Sequence, residues 1–276
     1  MEIKWDGHTH TPFCKHGSST PLELYAERAV ELGFTRYSLT EHPPLPHSWI
    51  NDPSLMKQLA MDWSELPLYL DNAWELKRRY SDQIEITVGL ELDYLFGKTD
   101  FTSELVSACG QKLEDAIVSV HYLPGVGGIR SIDYTPDDFK EGLLTHYGSM
   151  ERIIDTYYDH VELAIEYAMT LPMRTRIGHL NLIEKFRQVL PDMDDSQLME
   201  RLRRIIDKLA NSDVGLDVNM AGLRIGTCGK PYVPPWFLQE CRKRNIVCVY
   251  GSDAHKLEDV GFAWDLFEQG KWEEAI

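Results

Sequence analysis

The side chains in this sequence best suited to chemistry are histidines and carboxylates set in short motifs, the first of which is Asp6-Gly7-His8-Thr9-His10. In an extended strand residues i, i+2 and i+4 point to one side, so Asp6, His8 and His10 share a face and the two imidazoles are neighbours at its end. Neutral imidazole binds zinc, manganese or iron, and a carboxylate one step behind can hold the far ring nitrogen and so fix the tautomer. Asp6 fits that holding role. A His-x-His pair alone is more often two half-exposed strand histidines than a metal site, so the decision rests with the rest of the chain.

The rest of the chain repeats the pattern. Residues 36–40 read as a short buried strand running into Glu41-His42, and residues 85–94 are β-branched and apolar until they reach Glu91. Residues 116–120 deliver His121, residues 174–178 deliver His179, and residues 246–252 end at Asp253-Ala254-His255. With His16 just beyond the first motif, the donors gathered at this edge are His8, His10, His16, His42, Glu91, His121, His179, Asp253 and His255. Unrelated core histidines have no reason to select one end of every strand. Nine nitrogen and oxygen donors exceed the needs of one tetrahedral ion and suit two or three clustered divalent ions, with positions left for water and substrate. The set holds no thiolate, which leaves Zn, Mn and Fe as candidates. His47, His146 and His160 fall in a proline-rich loop or in helical context and are expected to be surface or packing residues.

The elements that must position these groups follow from periodicity. A helix is expected from Thr20 as N-cap, with Pro21 in the first position, Glu23 completing a capping box and Gly33 at the end. Residues 63–80, 149–170, 196–210, 235–244 and 262–269 carry helical apolar spacing, residues 50–61 read as loop, and residues 101–113 are weakly patterned. Residues 215–219 form a further strand ending at Asn219. Seven strands thus alternate with helices, and six place a donor at or just past the C-terminal end, the edge where the loops of parallel sheets and barrels converge. The expected fold is α/β, a TIM-like barrel of about seven βα units in one domain spanning residues 1–276, with its metal site at the C-terminal ends of the strands.

Composition narrows the partners. A formal net charge of −16 repels a nucleic-acid backbone, so an anionic substrate needs a local positive site, which a metal cluster supplies. No apolar run approaches the length of a membrane span, and Met1 to Asp6 leave no room for a signal peptide. Five scattered cysteines without a C-x-x-C pair argue against a disulfide framework and suit a reducing compartment. The expected location is the cytoplasm, with no membrane and no nucleic acid as partner.

In order, Asp6-Gly7-His8-Thr9-His10, Thr40-Glu41-His42, Gly89-Leu90-Glu91, Ser119-Val120-His121, Gly178-His179 and Gly251-Ser252-Asp253-Ala254-His255 resemble the motifs of the PHP (polymerase and histidinol phosphatase) family, over nearly the whole chain. Thr11 to Gly17, Arg176 to Leu180 with Lys185-Phe186, and Asn219 to Arg224 are similar to the stand-alone histidinol-phosphate phosphatases within it. Lys15 stands where close relatives are expected to carry proline, and Met220 where they carry a small polar residue; neither is a donor.

The resemblance implies a distorted (β/α)₇ barrel with a trinuclear centre. It assigns His8, His10, Glu91 and Asp253 to a first ion, Glu91, His121 and His179 to a second, and His16, His42 and His255 to a third, so that Glu91 bridges two. The implied activity is hydrolysis of the small-molecule phosphate monoester L-histidinol phosphate to L-histidinol and phosphate, with Glu91 and Asp253 as catalytic residues and Asp253 taking a proton from the incoming water. Asn219 and Arg224 are the substrate-binding candidates, because the loop after that strand can bring a guanidinium to phosphate. Asp133, Tyr122 and Phe13 are candidates for the amine and imidazole of the leaving group. The alternatives are a PHP phosphoesterase acting on another small phosphate ester or a nucleotide, and a metal-binding domain without turnover.

Overall fold

The computed structural model describes residues 3–270. Nine strands are present among them: β1 (Trp5–Asp6), β2 (Arg36–Glu41), β3 (Glu85–Asp93), β4 (Asp115–Ser119), β5 (Tyr122–Gly125), β6 (Gly128–Ser131), β7 (Arg174–Ile177), β8 (Gly215–Asn219) and β9 (Cys248–Gly251). Seven form a single sheet in the order β1-β2-β3-β4-β7-β8-β9, and every pair in it is parallel. The sheet curls until β1 meets β9. Gly7 donates to the Tyr250 carbonyl at 2.8 Å and Asp253 donates to the His8 carbonyl at 2.8 Å, with a parallel bridge between Thr9 and Ala254. The result is the nearly closed seven-stranded barrel expected from the sequence.

Parallel strands need crossovers, and amphipathic helices supply them. In Asp195–Ala210 the buried residues Leu198, Leu202, Ile205, Ile206 and Leu209 recur at helical spacing and make one apolar stripe. Met150–Ala168 begins at Ser149, whose hydroxyl accepts from the Arg152 amide at 3.3 Å. The barrel floor is closed by a polar plug. Arg176, 1% exposed, donates to Asp115 at 3.0 Å and to the Gly7 carbonyl at 2.8 Å, and its guanidinium lies 5.0 Å from the Trp5 ring.

Two local expectations need correction, and two elements had not been expected. The first helix runs Leu22–Glu31 with Pro21 itself in the cap position and no side-chain capping bond, because Thr20 pairs its hydroxyl with Ser18 at 2.7 Å instead. The stretch read as loop contains the helix Pro53–Leu59, started by Asp52, which accepts from the Ser54 and Leu55 amides at 2.8 and 3.1 Å. The weakly patterned stretch is the helix Thr99–Cys109. The β5–β6 hairpin, whose tight turn uses Gly127 and Gly128 at φ 79° and 128°, is the other unexpected element.

Candidate metal centre

The C-terminal ends of the barrel strands bring all nine expected donors into one cluster, with Glu91 at its middle. Glu91 is 1% exposed. Its Oε2 lies 3.2 Å from His8 Nε2, 3.4 Å from His10 Nε2 and 3.4 Å from His42 Nδ1. Its Oε1 lies 2.8 Å from His179 Nε2 and 3.6 Å from His121 Nε2. Asp253 Oδ1 stands 3.2 Å from His10 Nε2, 3.7 Å from His8 Nε2 and 3.4 Å from His255 Nδ1. His16 Nε2 faces His255 Nε2 at 3.1 Å.

These donors fit metal ions. Two ligands about 2.1 Å from a tetrahedral ion stand roughly 3.4 Å apart, close to most of these separations. His8 Nε2 and His10 Nε2 are buried without any hydrogen-bond partner, a costly arrangement for a polar atom unless its lone pair has another use. His8, His10 and Glu91 form one group of mutually close donor atoms, and Glu91, His121 and His179 form another.

The far ring nitrogens of four of these imidazoles are held by groups not expected in that role. Asp217 accepts from His8 Nδ1 at 2.8 Å and from the His179 amide at 3.2 Å. Glu41 holds His10 Nδ1 at 3.2 Å, Asp93 holds His121 Nδ1 at 2.6 Å, and the Gln58 carbonyl holds His16 Nδ1 at 2.8 Å. Such contacts orient metal-binding imidazoles and keep the inward nitrogen free. Asp6, expected in this role, does something else. Its carboxylate accepts from the Ser252 and Gly261 amides at 3.0 and 3.3 Å and so ties β1 to the loop after β9. Glycine clears room for the cluster, since a Cβ on Gly178 would sit 2.1 Å from Ser119 Oγ. That hydroxyl donates to Glu91 at 2.7 Å.

Electrostatics favour cations here. Burial alone would lower His8 and His10, but the surrounding carboxylates, Glu91 and Asp253 among them, raise both well above the usual imidazole range. Burial and the positive charge on His10 hold His42 and His255 well below it. Glu91 and Asp253 stay well below the carboxylate range despite burial, because imidazoles surround them. The centre therefore calls for positive charge, as protons or as metal.

The family model described as "PHP domain" matches residues 6–221, and one described as "PHP-associated" matches residues 238–275. The chain belongs to the PHP family. A Bacillus subtilis protein named histidinol-phosphatase is 36% identical over 264 residues, 96% of this chain and 98% of the relative. A Listeria monocytogenes structure provisionally named as a histidinol phosphatase superposes with TM-score 0.90 at 34% identity, covering 96% of this chain and all of that one. A Lactococcus lactis histidinol phosphate phosphatase, solved with zinc, L-histidinol and phosphate, shares the fold at TM-score 0.68 and 17% identity, over 98% of this chain and 94% of its own.

In this PHP barrel the cluster opens into a cavity of about 450 Å³, lined also by Tyr122, Asp133, Lys185, Arg224, Tyr232 and Asp259. Two expected substrate contacts are placed otherwise. Asn219 is wholly buried, and its amide nitrogen donates to Asp253 Oδ2 at 3.1 Å and Asp217 Oδ2 at 3.2 Å, behind the donors and away from the cavity. Arg224 reaches the cavity, but its terminal nitrogens donate to the backbone carbonyls of Ser252, at 2.6 Å, and Asp253, while Nε lies 3.7 Å from Asp259. Its fork is committed to the loop that carries Asp253 and His255. Phe13 packs on Tyr69 at 5.8 Å and lines a different depression.

His47 and His146 are exposed, and His160 is buried in the helix Met150–Ala168, donating from Nδ1 to the Thr156 carbonyl at 2.8 Å and packing on Phe96 at 4.9 Å. His146→Ala is expected to change neither metal content nor activity. His160→Ala is expected to cost about 1–2 kcal/mol of stability through lost packing, at unchanged turnover; thermal melts beside steady-state assays check both.

Proposed function

We propose that this protein is a metal-dependent phosphomonoesterase that hydrolyses L-histidinol phosphate to L-histidinol and phosphate in histidine biosynthesis. The observation that carries the reading is Glu91, its two oxygens facing separate imidazole groups at the floor of a cavity whose wall offers both cations and carboxylates. The similarity to the Bacillus protein, spread over nearly all of both chains, supports it.

We assign His8, His10, Glu91 and Asp253 to one divalent ion, Glu91, His121 and His179 to a second, and His16, His42 and His255 to a third, each ion being Zn, Mn or Fe. When bound, such ions neutralise phosphate oxygens and make a water acidic enough to attack phosphorus near neutral pH. Asp253, on the cavity wall and held from behind by Asn219, accepts the proton of the incoming water. On the leaving-group side Asp133 is anionic: Lys185, 3.0 Å away, outweighs its burial and keeps the carboxyl far below its usual range. Asp133 and Asp259 suit the ammonium and imidazolium of histidinol, with Tyr122 and Tyr232 offering ring faces. Arg224 acts as a positioning residue rather than as the phosphate clamp.

Both matched segments are taken as one domain, since β9 lies in the second and pairs with β8 in the first. Among the described residues no helix is long and apolar enough to cross a membrane; with five free cysteines, we place the protein in the cytoplasm.

The test is metal analysis of protein purified without chelator, joined to a panel of phosphomonoesters. Two to three equivalents of transition metal and a clear preference for L-histidinol phosphate are expected. Bound metal without turnover of any ester would refute the enzyme reading, and equal or better turnover of nucleotides would refute the substrate.

Arg224 gives a separate expectation. Arg224→Ala should lower kcat/KM and metal occupancy together, because it frees the Ser252 and Asp253 carbonyls. Arg224→Lys should be impaired as well, since one ammonium does not reproduce a two-pronged contact. A fall in kcat/KM with metal content unchanged would return Arg224 to the phosphate.

A further inference from the structure

Resting on the metal-centre reading above, we propose that Cys14 supplies a thiolate to the third metal position, the one that His42 and His255 face, so that this position has mixed nitrogen and sulfur ligation.

Cys14 Sγ and ligand atoms of His10, His42 and His255 all lie within 4.8 Å of one another. None of the other four cysteines joins such a group among the described residues. The rings converge on the same place: His10, wholly buried, stacks on His42 at 4.3 Å and on His255 at 3.9 Å, and His42 and His255 stand 5.9 Å apart. Donors sharing one zinc, at about 2.0–2.1 Å for nitrogen and 2.3 Å for sulfur, stand roughly 3.3–3.7 Å apart. The present spread, up to 4.8 Å, is wider and narrows when one ion is shared.

The backbone around Cys14 is built to hold it there. Thr11 is anchored through its amide to Glu41 at 2.8 Å, the same carboxylate that holds His10 Nδ1. The Cys14 amide donates to the Thr11 carbonyl at 3.0 Å, and the Gly17 amide donates to the Cys14 carbonyl at 3.3 Å. A Cβ on Gly17 would come within 3.1 Å of Cys14 Cβ and 3.2 Å of the His255 carbonyl, so the turn presses the cysteine against the strand end that carries His255. Cys14 is 7% exposed, whereas His16 in the same turn is exposed. The thiol therefore approaches from the protein side and His16 from the solvent side. On ligation the S–H proton leaves to solvent as the sulfur–metal bond forms. A soft donor at this one position favours zinc, iron or cobalt over manganese.

X-ray absorption at the zinc edge of fully loaded wild-type protein tests this, together with the near-ultraviolet spectrum of the cobalt-substituted protein. The expected result is a sulfur shell at about 2.3 Å and a sulfur-to-cobalt charge-transfer band, both absent in Cys14→Ser. In chelator competition Cys14→Ser should hold its weakest equivalent about ten- to a hundredfold less tightly. Zinc bound at full occupancy with no sulfur shell, or a shell that persists in Cys14→Ser, would overturn the proposal and leave the nitrogen and oxygen centre standing. Failure of the wild-type protein to bind zinc at all would overturn the centre itself.

Discussion

Glu91→Gln is expected to reduce kcat/KM by roughly 10²–10⁴-fold and to lower bound metal. The substitution keeps the shape of the side chain, so the barrel should still form. What it removes is one negative charge, 1% exposed, that faces imidazoles on both oxygens. Taking one partner from a buried charged network costs about 3–5 kcal/mol, and each 1.36 kcal/mol is tenfold in rate or affinity. Because Oε1 and Oε2 face different groups, two positions should weaken at once. Metal titration beside steady-state kinetics checks this. Full activity at full metal content would show that Glu91 is not shared.

The second large effect is expected at Asp253. Its carboxylate serves both as donor and as proton acceptor in the proposed reaction, so Asp253→Asn should lose roughly 10²–10⁴-fold in turnover. The backbone lets that loss be separated from unfolding. Asp253 has φ 53°, in the left-handed region that Asn tolerates at least as well as Asp and that most other non-glycine residues occupy at a cost. In metal-free protein Asp253→Asn should therefore melt near wild type, while Asp253→Ala should lose about 1–3 kcal/mol more. Equal melting of the two, or an active Asp253→Asn, would refute this account.

The donors were legible because most of them stand at or just past the end of a buried strand, and strand ends converge whatever the details of packing. The residues that hold them were not. Asp217, two positions before Asn219, shares its strand face, yet only the curl of the barrel decides that it meets His8 across β1 and β9 rather than solvent. Asp6 carried the right residue type and spacing, but the two amides beside it, at Ser252 and Gly261, come from a part of the chain that its own neighbourhood cannot reveal. The engagement of Arg224 with the Ser252 and Asp253 carbonyls was hidden for a related reason. Backbone carbonyls compete for a guanidinium as effectively as phosphate does, and no residue letter marks a carbonyl. Cys14 was passed over because no second cysteine pairs with it; its partners are imidazoles from three other motifs.

The seam between β1 and β9 joins residues as far apart as Asp6 and Ser252, 246 positions in sequence. His8 and His10 come from one lip of that seam, and Asp253 and His255 from the other. A ring with six strands formed and β9 undocked has bare edges and lacks Asp253 and His255, two of the nine donors. Ions that bind only the shut ring oppose its opening by mass action, so their binding acts as a clasp between the two ends of the chain. Metal supply would then govern not only turnover but how long the fold keeps its two ends together.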